Sequence, residues 1–238
     1  MNRRTIWSSG LTLAAVALLL SMPAGLKAGP PLLCHSLNIG NARSLPWGTS
    51  AHWEAADASY DLTHLVADTM ELLNSQTPVM VRMETLRRAT LYAQHDRFIA
   101  KELLGRLDDR AFASEAGGRP DALAWFDYGY LVECYKQTGW MPGSRGEGSS
   151  EAELAARLDG YGAVEKAIRL HGNDGQMEFA AALIALEGPK PGQHDHAERA
   201  MAGAARDPLL AENLAAHYLG DRTESVGTAL TKTVTAKN

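Results

Sequence analysis

Asp57, Asp61, His64 and Asp68 follow one another at steps of four, three and four residues. On a helix that spacing puts three carboxylates and an imidazole on one stripe, where such groups can converge on a metal ion. Asp61, His64 and Asp68 are the positions a metal would use. The next helical stretch carries Arg82, Arg87 and Arg88, and a packed helix pair sets an acidic stripe against basic residues. The expectation is therefore an ion-paired or solvated face, with no metal and no cofactor. Glu84 stands four residues before Arg88, the spacing of a local helical ion pair.

His194-Asp195-His196 is the densest imidazole cluster. Residues i and i+2 at a helix start point to different faces, so these read as surface cap histidines. His171 and His217 join them only if the fold brings them near. Asp108-Asp109 are adjacent and diverge, which reads as a solvated turn. The stretch with Trp125, Phe126, Tyr128, Tyr130 and Tyr135 has aromatics around the whole circumference of a helix. A central helix packed on two sides absorbs most of them. Trp125, Tyr128 and Tyr130 are the candidates for lining a concave groove that takes a protein or peptide partner. No catalytic residue is assigned, because the nucleophile elbow, the His-Glu-x-x-His zinc helix, the phosphate-binding Gly-x-x-x-x-Gly-Lys loop and the dinucleotide fingerprint are all missing. The alternative is an exported helical enzyme or a metal- or ligand-binding domain, for example one that hydrolyses glycans through two carboxylates.

The elements that must position these residues are helical almost throughout. Residues 29–50 are rich in Pro, Gly, Asn and Ser and read as an irregular N-terminal arm, too apolar to float free. From Ala51 apolar residues recur at three- and four-residue steps. Helices are expected from 51 to 74, from Thr77-Pro78 to 94, from Asp96 to Gly117, and from about 121 to Gly139. A break at 139–149 precedes a Ser150–Glu153 capping box. That helix runs to 170, with Gly160 and Gly162 bending or splitting it. Asp174 and Asp207-Pro208 open later helices. Strand signals are nearly absent. The expected fold is all-α, seven or eight helices in stacked antiparallel pairs at 51–94, 96–138, 150–187 and 193–219, with a disordered tail at 221–238.

Residues 1–28 combine Arg3 and Arg4, an apolar run from Leu11 to Leu20, and a small-residue exit at Leu26-Lys27-Ala28. This is the pattern of a signal peptide, and the run is about half the ~20 residues of a membrane span. The start also resembles a twin-arginine export signal. The net charge of −5 becomes −8 once Arg3, Arg4 and Lys27 leave with residues 1–28, which gives no footprint for nucleic acid or an anionic membrane. Cys34 and Cys134 are the two cysteines. In an exported chain they are a candidate disulfide, closing a loop worth up to ~4–5 kcal/mol in the chain-entropy model.

Trp125-x-x-Tyr128-Gly129-x-x-Val132, and Val164 to Leu170 running into Gly172-Asn173-Asp174, resemble pieces of the tetratricopeptide repeat. In that family small positions let helices approach closely while large ones fill the gaps. The resemblance covers about a quarter of the chain beyond residue 28. The spacing of the helix pairs departs from the family's fixed ~34-residue period. It implies helical hairpins and, as function, a protein- or peptide-binding scaffold outside the cytoplasm (periplasmic or secreted). The first expected outcome concerns export. Mass spectrometry of the protein recovered from its host should find an amino terminus near Gly29, and an intact chain starting at Met1 in the cytoplasm would overturn the reading.

Overall fold

Aspartate opens most of the helices. Asp96, Asp121, Asp159, Asp174 and Asp207 each accept backbone amides at the first turn of the helix that follows, and such a cap is worth about 1 kcal/mol. The computed structural model describes residues 30–48, 56–94, 96–141, 150–188 and 190–219. The expected signal peptide at 1–28 and tail at 221–238 lie outside them. Among the described residues there are nine α-helices and no strand: α1 Leu65–Leu72, α2 Val79–Ala93, α3 Arg97–Ala116, α4 Ala122–Thr138, α5 Ser150–Ala155, α6 Gly160–His171, α7 Gly175–Ile184, α8 Gln193–Ala204 and α9 Pro208–Leu214. The fold is all-α. Among the same residues no helix is long and apolar enough to cross a membrane.

Several boundaries differ from the sequence expectation. The first helix starts at Leu65 after a 3-10 turn at Leu62–His64, and residues 56–61 hold no helix. Asp57 binds the amide and hydroxyl of Ser59, and Asp61 binds those of Thr63. These local bonds compete with a helical ladder. Thr77 does not cap α2; its hydroxyl donates to the Leu72 carbonyl at 2.5 Å and closes the end of α1. Ser150 bonds Glu151 at 2.6 Å, and Glu153 reaches Arg97 at 3.4 Å, so no capping box forms. The split expected near Gly160 is present: α5 ends at Ala155 and α6 begins at Gly160.

Two glycine contacts set the tightest helix pairs. A Cβ on Gly129 of α4 would lie 2.6 Å from the Gly160 carbonyl oxygen and 2.9 Å from Ala163 Cβ and Val164 N of α6. Further along α4, Glu133 meets the start of α6 at Tyr161, whereas Trp125 at the start of α4 lies under Lys166. The pair is therefore antiparallel. In the same way the Gly175 end of α7 rests on the Gly203 end of α8, and a Cβ on Gly203 would stand 2.8 Å from Gly175 Cα. The closest approaches thus fall within 122–171 and 175–204, while the expected neighbours α3 with α4, α6 with α7 and α8 with α9 also pack on one another.

The arm is part of the core. Leu32, Leu33, Leu37 and Leu45 are buried, and their backbone is held by helix side chains. Gln137 accepts from Leu32 N at 2.8 Å, Glu84 accepts from Leu37 N at 3.0 Å, and Arg87 and Arg88 donate to the Leu33 and Leu45 carbonyls. Glu84 pairs with Arg88 at 2.7 Å as the spacing implied, and with Arg87 at 2.8 Å. Arg82 turns inward to Asp127 of α4 at 2.5 Å, joined there by Arg110. None of the three arginines pairs with the Asp57–Asp68 stripe.

Backbone-on-backbone contact leaves no room for relaxation, so Gly129→Ala should destabilise by about 2–3 kcal/mol. Thermal unfolding followed by circular dichroism checks this. Gly105 of α3 faces open space, and Gly105→Ala should instead be neutral or stabilise by up to ~1 kcal/mol. Equal effects of the two substitutions would refute the contact.

Candidate functional site

The three aromatic candidates are core residues. Tyr130 is fully buried and stacked on Phe126, ring centroids 5.7 Å apart. Trp125 and Tyr128 are also buried, edge-on to Phe112 of α3, and the Lys166 ammonium sits 3.7 Å over the Trp125 ring. The expected recognition surface on α4 is therefore corrected. Helices α2, α3, α5 and α6 surround α4, so no face of it is left for a partner. Asp108 is not a turn residue either; it lies within α3 and is half-buried.

Asp61, His64 and Asp68 do not converge. Asp61 is spent on Thr63, His64 stands 3.8 Å from Asp61 at the surface, and Asp68 accepts from the Tyr60 hydroxyl at 2.7 Å. Among the described residues no three His, Cys, Asp or Glu side chains form a metal-binding group. Cys34 is half-buried, Cys134 is buried, and no disulfide joins them. The arm that carries Cys34 is held by its hydrogen bonds to Gln137, Glu84, Arg87 and Arg88.

Two clefts collect the remaining chemistry. One, of about 640 Å³, lies where the arm meets the C-terminal helix and includes Cys34, His35, Glu212, Asn213 and His217. Asn213 clamps Asn38, accepting from its amide and donating to its carbonyl, both at 2.8 Å. His217 follows α9 on a five-residue π-helical turn, Ala215–Leu219, with its ring edge-on to His35 at 5.6 Å. Burial, and then the neighbouring His35, lower the His217 pKa to about 4. Its ring is therefore neutral at pH 7.

The other cleft, about 460 Å³, opens between α6, α7 and α8 and is lined by Glu165, Arg169, Asn173, Glu178, His196 and Arg199 among others. Antiparallel packing of α7 on α8 brings position 178 against positions 196 and 199. Glu178 is 2% exposed and His196 4%. The Glu178 carboxylate takes the His196 Nδ1 at 2.5 Å and the Arg199 Nε at 2.6 Å, so both its oxygens are satisfied. Arg199 Nη2 lies 2.9 Å from the same Nδ1, so the ring meets a carboxylate and a guanidinium on one edge. Nε2 lies 3.9 Å from Glu165 Oε1, too far for a direct hydrogen bond. Tyr161 of α6 meets the His196 ring edge-on at 6.0 Å; burial raises its pKa to about 12, and its hydroxyl donates to the Pro191 carbonyl. His194 stays at the surface beside Glu198.

Sequence reading placed His196 among surface caps and missed Glu178 and Arg199. The available signal was the spacing His196–Arg199 on one helix face, with a lone Glu178 in the otherwise apolar run from Met177 to Ile184. No protein-family model, curated protein or solved structure matches the chain.

The His217 shift makes stability depend on pH. Between about pH 4 and 6.5 the unfolded chain binds a proton at this ring that the folded chain does not, so stability falls as pH drops through that window. A shift of that size corresponds to about 2–3 kcal/mol at pH 4, allowing for partial solvent screening. Asp127 acts the opposite way, since burial raises its carboxyl to about 6 and favours the folded state as pH falls. The test is therefore the difference between wild type and His217→Gln in urea unfolding at pH 7 and pH 4.5. The variant should lose less stability on acidification, and parallel losses would refute the assignment.

Proposed function

We propose that this chain is an exported, non-catalytic helical-repeat scaffold that binds a protein or peptide partner across the α6–α7–α8 cleft. One observation carries the proposal. Glu178, His196 and Arg199 form a fixed, buried polar cluster at the wall of an open cleft, while the large aromatics are spent on the core. Groups already locked by packing lose little entropy on binding and give orientation to a ligand. The exposed Arg169 at the rim adds a charge for steering. The close glycine approach at Gly129 supports the repeat character, because the tetratricopeptide-like stretch sets a small residue at that position.

The alternative is an exported helical enzyme, favoured by the Glu178–His196 geometry, in which a carboxylate orients an imidazole as in general-base pairs. Among the described residues no serine or cysteine lines this cleft as a nucleophile, which keeps binding as the first reading. The check is capture of partners from the host's envelope fraction on immobilised protein. A species retained by wild type should be lost, with apparent affinity down about tenfold or ~1.4 kcal/mol, on Arg169→Ala, with the helical dichroism unchanged. Equal retention by the variant would move the interface elsewhere.

A further inference from the structure

The outward face of α3 carries a pattern that the fold leaves unused. Ala100, Leu103, Leu107 and Ala111 are buried against the bundle, and Gly105 stands on the opposite side of the helix, exposed. A Cβ at Gly105 would meet no atom within 4 Å. Glycine in an exposed helix interior weakens the helix. A close backbone contact accounts for it at Gly129 and Gly203, but nothing among the described residues does so at Gly105. Seven residues to either side, about 10 Å along the axis, stand Phe98 and Phe112, 84% and 50% exposed. Edge contacts to Trp125 and Tyr128 hold the Phe112 ring in place, so its exposed half is preformed. Four residues to either side stand Lys101 and Asp109, both exposed. The ion pairs of α3 are made by Arg97, Arg110 and Glu115, and Lys101 and Asp109 hold none among the described residues.

This face is self-complementary about Gly105. A second α3 laid antiparallel on the first, with a two-fold axis at Gly105, sets each residue before the glycine against the one equally far after it. Phe98 then meets Phe112 of the copy and Lys101 meets its Asp109, and each pair occurs twice. The two glycines at the axis let the backbones approach closely, which brings the rings at either end into contact. A parallel pairing would instead set Lys101 on Lys101 and Asp109 on Asp109, and like charges oppose it. We propose that α3 is a homodimer interface, closed by antiparallel packing of the Phe98–Phe112 face on the same face of a second copy. This goes beyond the binding role of the α6–α8 cleft and does not depend on it. One helix face is a small interface, so a reversible dimer with a dissociation constant of roughly 10–100 µM is expected.

The test is sedimentation equilibrium of the protein purified from its host, at loading concentrations from about 1 to about 500 µM, with the dichroism of each variant recorded alongside. Wild type should pass from monomer to dimer. Gly105→Gln should keep or raise the helical signal, because the site is open, yet raise the dissociation constant about tenfold by holding the backbones apart. Lys101→Glu and Asp109→Lys should each raise it about tenfold, because each sets like charges across the axis. An equimolar mixture of those two variants should recover wild-type association, since only mixed dimers then match opposite charges at both ends. Monomer at every concentration, an undiminished dimer in Gly105→Gln or in either charge variant, or failure of the mixture to recover would each overturn the interface.

Discussion

The backbone contact between Gly129 and Gly160 is the constraint on which the rest of the molecule hangs. It brings α4 and α6 close enough for the buried Glu133 carboxylate to accept the Tyr161 amide at 2.9 Å, at the amino end of α6 where a negative charge is favoured. Lys136 at 2.8 Å and Lys190 at 3.5 Å then compensate that carboxylate. Lys190 belongs to the segment before α8, and its ammonium lies 4.9 Å over the Tyr161 ring. Tyr161 in turn holds the Pro191 carbonyl and rests edge-on against His196. An unbroken line of contacts therefore runs from a missing pair of side chains in the core to the wall of the α6–α8 cleft. Wider spacing of α4 and α6 would move Tyr161, and with it the ring it supports.

The second glycine contact, between Gly175 and Gly203, does the same for the other wall. It fixes how far α7 slides along α8, and only one register sets Glu178 against both His196 and Arg199. The arm is secured by a different device. Glu84 gathers Arg87, Arg88 and the Leu37 amide, while Trp47 lies against both guanidinium groups at 5.0 and 5.7 Å. Four buried leucines of the arm are worth roughly 1.5–3 kcal/mol each, so the arm acts as a structural member of the bundle.

Much of the fold was legible because helix caps are local. Asp96, Asp121, Asp174 and Asp207 begin helices through side-chain bonds within three residues of themselves, and the sequence shows them directly. Pairing was harder. Gly129 carried the signal for close approach, but its partner Gly160 lies 31 positions on, across a break, and no local rule joins them. The site was mostly hidden for the same reason. His196 looks like a surface cap beside exposed His194 until α7 supplies Glu178 from 18 positions upstream. The aromatic excess of α4 pointed the wrong way, because a helix enclosed by neighbours on all sides buries more rings than one stripe can hold.

Five carboxylates are buried among the described residues, and four of them, Glu84, Asp127, Glu133 and Glu178, hold partners across elements. Burying an ion costs several kcal/mol unless partners satisfy it, and each of these four sits at a junction between elements. Glu84 ties the arm to α2, Asp127 ties α2 and α3 to α4, and Glu133 ties α4 to α6. Those three have a positional role, and the orphaned Asp127 Oδ1 is sealed in the interior where no ligand reaches it. The Glu178 cluster differs in where it lies. Its carboxylate is fully used by His196 and Arg199, and the cluster borders open space. A polar cluster sealed in a core serves stability alone, whereas one at a cleft wall can also meet a ligand. That difference in location, more than any difference in residue type, singles out the α6–α8 cleft among the buried charges of the chain.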